Sequence, residues 1–315
     1  MHLILCLIGW CLFSVLSLPV QANAAERLIA VILTRDIPRY QAVHDVFTDR
    51  FGSPAGVKLY VQRPNGDILS LRNSARKAVA IGADAILTYG ATATRAALAE
   101  AYDTPVFYAD VIYPMVQCFI PYQFTPGKNV TGIRGDAPVQ TLMKHFQTAT
   151  GANRLCAFYQ AGDMSADNQV ESLRRIADKK DWDVVPKPFK RTMGPAEIMG
   201  LVPDKSQGIY CADSLLLMQN AGLLVELASE KKLPIISQVP GMAEKGAFMV
   251  LETDPVEQGG TMANYLLRYL HGASVTQLPP ERPHNVSLVI NLKTAKQLGI
   301  KVPFEVLSVT SRIIR

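Results

Sequence analysis

Ala85-Ile-Leu-Thr-Tyr-Gly-Ala-Thr-Ala-Thr94 changes its pattern halfway along. Ala85–Thr88 is a short continuous apolar run, which reads as a strand buried on both faces. Ala91–Ala101 is an Ala-rich helical segment, and Gly90 lies at the junction. The same rhythm extends to either side. Upstream come strand Leu28–Leu33, helix Pro38–Phe51, strand Val57–Val61 and helix Ile68–Ile81; strand Pro105–Tyr108 follows. Residues 109–128 are rich in Pro, Tyr, Phe and Gln and carry no helical period. Asn129–Ile133 reads as a connecting strand. Alternation then resumes. The expected helices are Val139–Thr150, Ser165–Lys179, Pro195–Leu201, Leu215–Lys231 and Pro255–Leu270. The expected strands are Arg154–Tyr159, Val184–Pro186, Gly208–Cys211, Pro234–Ser237 and Gly246–Leu251. Short apolar strands separated by helices imply an α/β protein with parallel sheets flanked by helices. Two successive blocks with later returning strands imply two lobes joined by several crossings.

A chain of 315 residues, 49% hydrophobic, is long enough for two cores. Residues 1–24 contain no Lys, Arg, Asp or Glu, and Leu3–Leu18 is almost wholly apolar. With Ala22-Asn23-Ala24 as a small-x-small site, this head reads as a secretory signal cleaved after Ala24. A retained anchor is the competing reading, but the apolar run is short against the ~20 residues a span needs. The net charge of +5 falls entirely after this segment and is scattered, as in Lys179-Lys180-Asp181 and Glu230-Lys231-Lys232. That pattern gives no case for nucleic acid. Beyond the head lie Cys118, Cys156 and Cys211, without framework spacing for disulfides. There is no Cys-x-x-Cys, no His pair at metal spacing and no Gly-x-Ser-x-Gly elbow. Neither a metal nor a cofactor is expected, nor an enzyme.

In folds of this kind ligands sit outside the carboxyl ends of parallel strands, where loops meet helix N-termini. Tyr89, Gly90, Ala91, Thr92 and Thr94 form one such loop, offering free N–H groups and hydroxyls to an anion; helix capping by Thr is the alternative. Asp110 ends the fourth strand, and Asp213-Ser214 follows a strand of the second block. Each Asp either caps a helix or pairs with a ligand ammonium. Thr34 and Arg35 follow the first strand; Arg35 either clamps a carboxylate or pairs with Asp36 in solvent. Tyr113, Phe119, Tyr122 and Phe124 either wall an apolar ligand or pack the irregular loop. Tyr159-Gln160 and Gln238 close two strands of the second block. Asp254 is positioned to cap the helix beginning at Pro255.

Several stretches together resemble one family. The tail Glu281-Arg-Pro-His-Asn-Val-Ser-Leu-Val-Ile-Asn-Leu-Lys-Thr-Ala-Lys-Gln-Leu-Gly-Ile-Lys-Val-Pro303 is similar to the end of the ABC transporter substrate-binding proteins, whose members include tryptophan- and tyrosine-type binders. Ala85–Thr94, Pro105–Asp110, Pro126–Ile133 and Gly241-Met-Ala-Glu-Lys-Gly-Ala247 agree with that family in order. The resemblance implies a type I periplasmic-binding protein: two Rossmann-like lobes and three crossings. Lobe 1 would comprise residues 26–132 plus 252–283, and lobe 2 residues 133–251 plus 284–315. It also implies a periplasmic monomer that binds a small polar or amphipathic ligand, amino-acid-like by preference, and hands it to an ABC permease and its ATPase. A periplasmic sensing module that signals to a membrane receptor is the alternative. Thr92 and Thr94 match the family's ligand loop, and Asp213 matches the acid of its Thr-Asp-Asn turn, here Ala-Asp-Ser. Ala109-Asp-Val-Ile-Tyr-Pro114, Val239-Pro240 and Val250-Leu-Glu-Thr-Asp254 depart from the pattern, so the ligand does not transfer with the scaffold.

Overall fold

The computed structural model describes residues 26–35, 37–112, 129–180 and 182–315. The expected export segment, Cys118 and the aromatics of residues 113–128 lie outside them. One sheet contains β1 (Arg27–Ile32), β2 (Val57–Gln62), β3 (Ala85–Tyr89), β4 (Val106–Val111) and β5 (Val130–Arg134). Its order is β2-β1-β3-β4-β5, and every pairing is parallel. Helices α1 (Pro38–Phe51), α2 (Ile68–Ala80) and α3 (Ala91–Leu98) connect its strands.

The other sheet contains β6 (Arg154–Gln160), β7 (Asp183–Phe189), β8 (Gly208–Cys211), β9 (Ile235–Ser237), β10 (Met249–Thr253), β11 (Val286–Asn291) and β12 (Arg312–Ile314). Its order is β12-β11-β10-β9-β8-β6-β7. With it go α4 (Val139–Thr150), α5 (Met164–Ala177), α6 (Pro195–Gly200), α7 (Leu215–Gln219) and α8 (Ala221–Glu230). The C-terminal part adds α9 (Pro255–Leu270), α10 (Leu292–Leu298) and α11 (Phe304–Leu307). This is the two-lobed α/β architecture of type I periplasmic-binding proteins.

The chain passes between the sheets after β5, after β10 and after Glu281. Glu281 still belongs to the first lobe, where its N–H donates to Gly132 O at 2.9 Å. The two sheets run through Arg134 and Thr253, in each case two residues past the boundary expected from the sequence. Helix α9 completes the first core: Met262, Tyr265 and Leu266 pack with Phe47, Phe51 and Tyr89. It approaches α1 closely at Gly259, where a Cβ would lie 2.6 Å from Val43 O. In the second lobe Phe146, Leu155, Tyr210 and Phe248 sit in one core layer, and Cys156, Phe158, Cys211 and Val289 in the other. Both cysteines are free, and burial pushes the Cys156 thiol up to about 12.

The structure corrects some local expectations. The second sheet is mixed, because β11 pairs antiparallel with β10. The chain leaves β10 toward the first lobe and re-enters from that same side, so β11 must run the opposite way. β7 extends through Pro186 and Pro188, which its place at the sheet edge allows. The long helix expected over Leu215–Lys231 is interrupted at Asn220, whose backbone (φ −102°, ψ 11°) leaves the helical region. β10 starts at Met249 rather than Gly246, because Gly246 turns with φ +106°. Asp254 does cap α9, accepting from Val256 N–H at 2.8 Å. Among the described residues, no helix is long and apolar enough to cross a membrane.

Candidate functional site

The carboxyl ends of β1, β3 and β4 in one lobe face those of β6, β8 and β9 in the other. Across this cleft the strongest feature is Arg39. Proline at N1 starts α1 at Pro38, which places Arg39 at the first turn, beside the loop that follows β1. Its side chain is only 9% exposed and reaches across the cleft. Nη1 donates to Asp213 Oδ1 at 2.9 Å and Nη2 to Asp213 Oδ2 at 2.6 Å, a two-pronged pair. Nε lies 2.8 Å from Asp110 Oδ2, an ion pair in which the N–H is not aligned on the oxygen. Nη2 also lies 3.2 Å from Tyr40 Oη. One guanidinium thus joins the ends of β4 and β8.

Burial alone would lower the pKa of Arg39, but Asp110 and Asp213 outweigh it and hold the guanidinium well above its ordinary value. Asp110 is pushed up to about 6, by burial first, with Arg39 working against the rise and Asp213 adding to it. Its backbone is left-handed at φ +53°, a region that Asp tolerates better than most residues.

Beside this triad lies a cavity of about 140 Å³. That is the scale of a cavity that holds a single benzene ring. The first lobe lines it with Thr34, Ile37, Tyr40, Leu71, Tyr89 and Thr92, the second with Asp163, Ser165, Ser214, Leu215, Met218 and Val239. Tyr89 is fully buried, its hydroxyl 3.0 Å from His44 Nδ1, and burial raises its pKa. Asp163 caps α5: Oδ1 accepts from Ser165 N–H at 2.9 Å and Ala166 N–H at 3.3 Å. Burial, and then Asp213, push its carboxyl up to about 6. A second cavity of about 300 Å³ shares Thr92, Asp163 and Ser165 and adds Arg95, Gln160 and Arg191.

The residues expected from the sequence divide into two groups. Thr34, Tyr89, Ala91, Thr92, Asp110, Asp213 and Ser214 line the inner cavity, and Gln160 the outer one. The others stand apart. Arg35 points to solvent and donates to Arg63 O at 3.3 Å. Thr94 turns its hydroxyl back onto Gly90 O at 2.8 Å and meets Thr88. Gly90 caps α3 and lies behind Tyr40. Tyr159 packs on the second-lobe core, and Gln238 is bound to Tyr210 Oη and Ala137 O. Tyr113 lies outside the described residues. Arg39, Tyr40, Asp163 and Ser165 line the cavity without having been singled out in the sequence; Pro38 and an Asp-x-Ser turn were the local signals present.

Asp163 makes stability depend on pH. A carboxyl raised from 3.8 to about 6 holds more protons folded than unfolded between those values, so it favours the fold increasingly as pH falls through 6. The charges facing it are Asp213, Asp167 and, around the outer cavity, Arg95 and Arg191. His44 and His145, lowered by burial, act in the opposite sense below 6.5. The clean comparison is therefore with Asp163→Asn, which keeps the cap. Thermal melts at pH 7.5 and 5 should show the wild type gaining on this variant at the lower pH. A constant gap would mean that Asp163 titrates normally.

Known proteins agree with the fold. The ABC transporter substrate binding protein family model matches residues 55–314. The chain belongs to that family. It is 23% identical over 246 residues to a tyrosine-binding protein of Clostridioides difficile, covering 78% of this chain and 71% of that one. Its fold matches a Streptococcus pneumonia ABC domain in complex with L-Trp, with TM-score 0.85, 22% identity, and 92% and 100% of the two chains covered. It also matches a ligand-free, open substrate-binding protein with adhesive properties from Clostridium difficile, with TM-score 0.73, 20% identity, and 91% and 99% covered.

Proposed function

We propose that the chain is the extracytoplasmic, periplasmic solute-binding component of an ABC importer. It closes two lobes over one small ligand in the inner cavity and presents the closed form to a membrane permease and its ATPase. It works as a monomer and by binding, not by turnover. One observation carries this reading: strand ends from both lobes converge on a mostly apolar, ring-sized cavity with polar groups from each side. Such a cavity exists only while the lobes are together, so a ligand filling it stabilises the closed state by its differential affinity. The closer overlay on the tryptophan complex than on the ligand-free, open relative supports a closed arrangement here.

A thermal-shift screen of amino acids, amines, aromatic acids, nucleosides and sugars tests it. A ligand that binds only the folded protein stabilises it by about 2.7 kcal/mol at a hundredfold excess over its Kd. Thr92→Trp, which fills the cavity, should abolish that shift. Retained binding in this variant would place the ligand elsewhere and sink the cleft reading.

A further inference from the structure

The charged side chains of the cavity are not arranged to grip an amino acid at both ends. Asp213, the acid best placed by sequence for a ligand ammonium, has both oxygens taken by Arg39. Its backbone N–H is bound to Gln169 Oε1 at 2.6 Å. Arg39 in turn faces Asp213 with Nη1 and Nη2 and Asp110 with Nε, so it cannot also clamp a carboxylate. The triad is closed to the ligand.

Asp163 is what remains. Oδ1 holds the first turn of α5, while Oδ2 carries no hydrogen bond among the described residues. Both cavities include this residue. Among the described residues, the charged groups lining the inner cavity are Asp110, Asp163 and Asp213 against Arg39, a surplus of acid. At the few-ångström separations inside such a site, a second carboxylate is repelled and an ammonium attracted.

Resting on the cleft reading above, we propose that the cavity selects a small ring-bearing primary amine without a carboxylate. Its ammonium is held by Asp163 Oδ2 beside Ser165, and its ring packs against Leu71, Tyr89, Leu215 and Met218. Arg39 acts as a specificity-determining residue, because it occupies Asp213 and so removes the alternative cation site.

Calorimetric titration of the purified full chain with phenethylamine, L-phenylalanine and 3-phenylpropanoate separates the possibilities. Phenethylamine should bind at least about tenfold tighter than L-phenylalanine, and 3-phenylpropanoate should not bind. Asp163→Asn should weaken phenethylamine by about tenfold or more. Asp163→Ser, which also preserves the cap, serves as the second variant should the first fold poorly. Equal or tighter binding of L-phenylalanine, or indifference to both variants, overturns the amine assignment and leaves the cleft reading standing. Silence from all three probes also overturns it. The cleft reading itself falls only if Thr92→Trp leaves unchanged the binding of the solute that the wider screen identifies.

Discussion

Arg39→Met is expected to open the cleft and lower the melting midpoint. Methionine keeps much of the length and apolar stem of the side chain but removes the only positive charge that the described residues place on the inner cavity. Asp110 and Asp213 are then left at 4% and 16% exposure without their cationic partner. Breaking a buried ion pair from one side typically costs about 3–5 kcal/mol. The lobes have a cheaper response than unfolding. They can separate and let water reach both carboxylates, so part of the effect should appear as a larger radius of gyration in solution scattering. Arg39→Lys should recover little, because one ammonium cannot serve a two-pronged pair and a third contact together. Arg39→Met combined with Asp213→Asn should lose less than the two single losses added together, since the partners form one network. Unchanged scattering and an unchanged midpoint in Arg39→Met would show that the guanidinium bridges nothing of consequence.

Gly90→Ala should destabilise the first lobe by about 2–5 kcal/mol, combining backbone strain with overpacking. Gly90 sits at φ +78°, ψ 163°, a region open essentially to glycine alone. A Cβ there would fall 1.9 Å from Tyr40 Oη and 2.5 Å from Tyr40 Cζ. Tyr40 cannot swing away freely: it is 8% exposed, Arg39 holds its hydroxyl, and its ring lies 6.4 Å from that of Tyr89. Gly222→Ala makes the opposing control. It sits near the start of α8 with no atom within 4 Å of an added Cβ, and should stabilise by up to about 1 kcal/mol. Chemical denaturation of the two variants should therefore move in opposite directions. A neutral Gly90→Ala would mean that the Tyr40 ring does not rest on that turn.

Much of the scaffold was legible because it is written locally. Helices Pro38–Phe51, Val139–Thr150 and Pro255–Leu270 carry their own periodicity and proline starts, and fall where the spacing puts them. Two lobes, strand ends as loop sites, and Thr92 and Asp213 near the cleft follow from the same local signals. The triad was not legible in that way. Arg39 and Asp213 are 174 residues apart, and an arginine at the first turn of a helix looks like any solvated charge. Asp163 reads as an ordinary N-cap, which it is; that it also faces a cavity depends on the opposite lobe. Arg35 attracted attention by lying at a strand end, but its side chain points outward, whereas Arg39, in the first turn of the helix that follows, points in. The antiparallel turn of β11 and the short β12 depend on the path taken by the returning chain.

That path has a consequence for how the molecule is made. The first lobe needs Met262, Tyr265 and Leu266 from α9 to seal its core, although its last strand ends at Arg134. The second lobe needs Leu288, Ile290 and Val306, which arrive later still. Neither half can finish on the ribosome while the C-terminal segments are unmade. The nascent chain is therefore held loose until synthesis is nearly complete, with contacts between distant segments deferred to the end. The interleaving that builds the cleft also ties the completion of both cores to the last segments of the chain to be made.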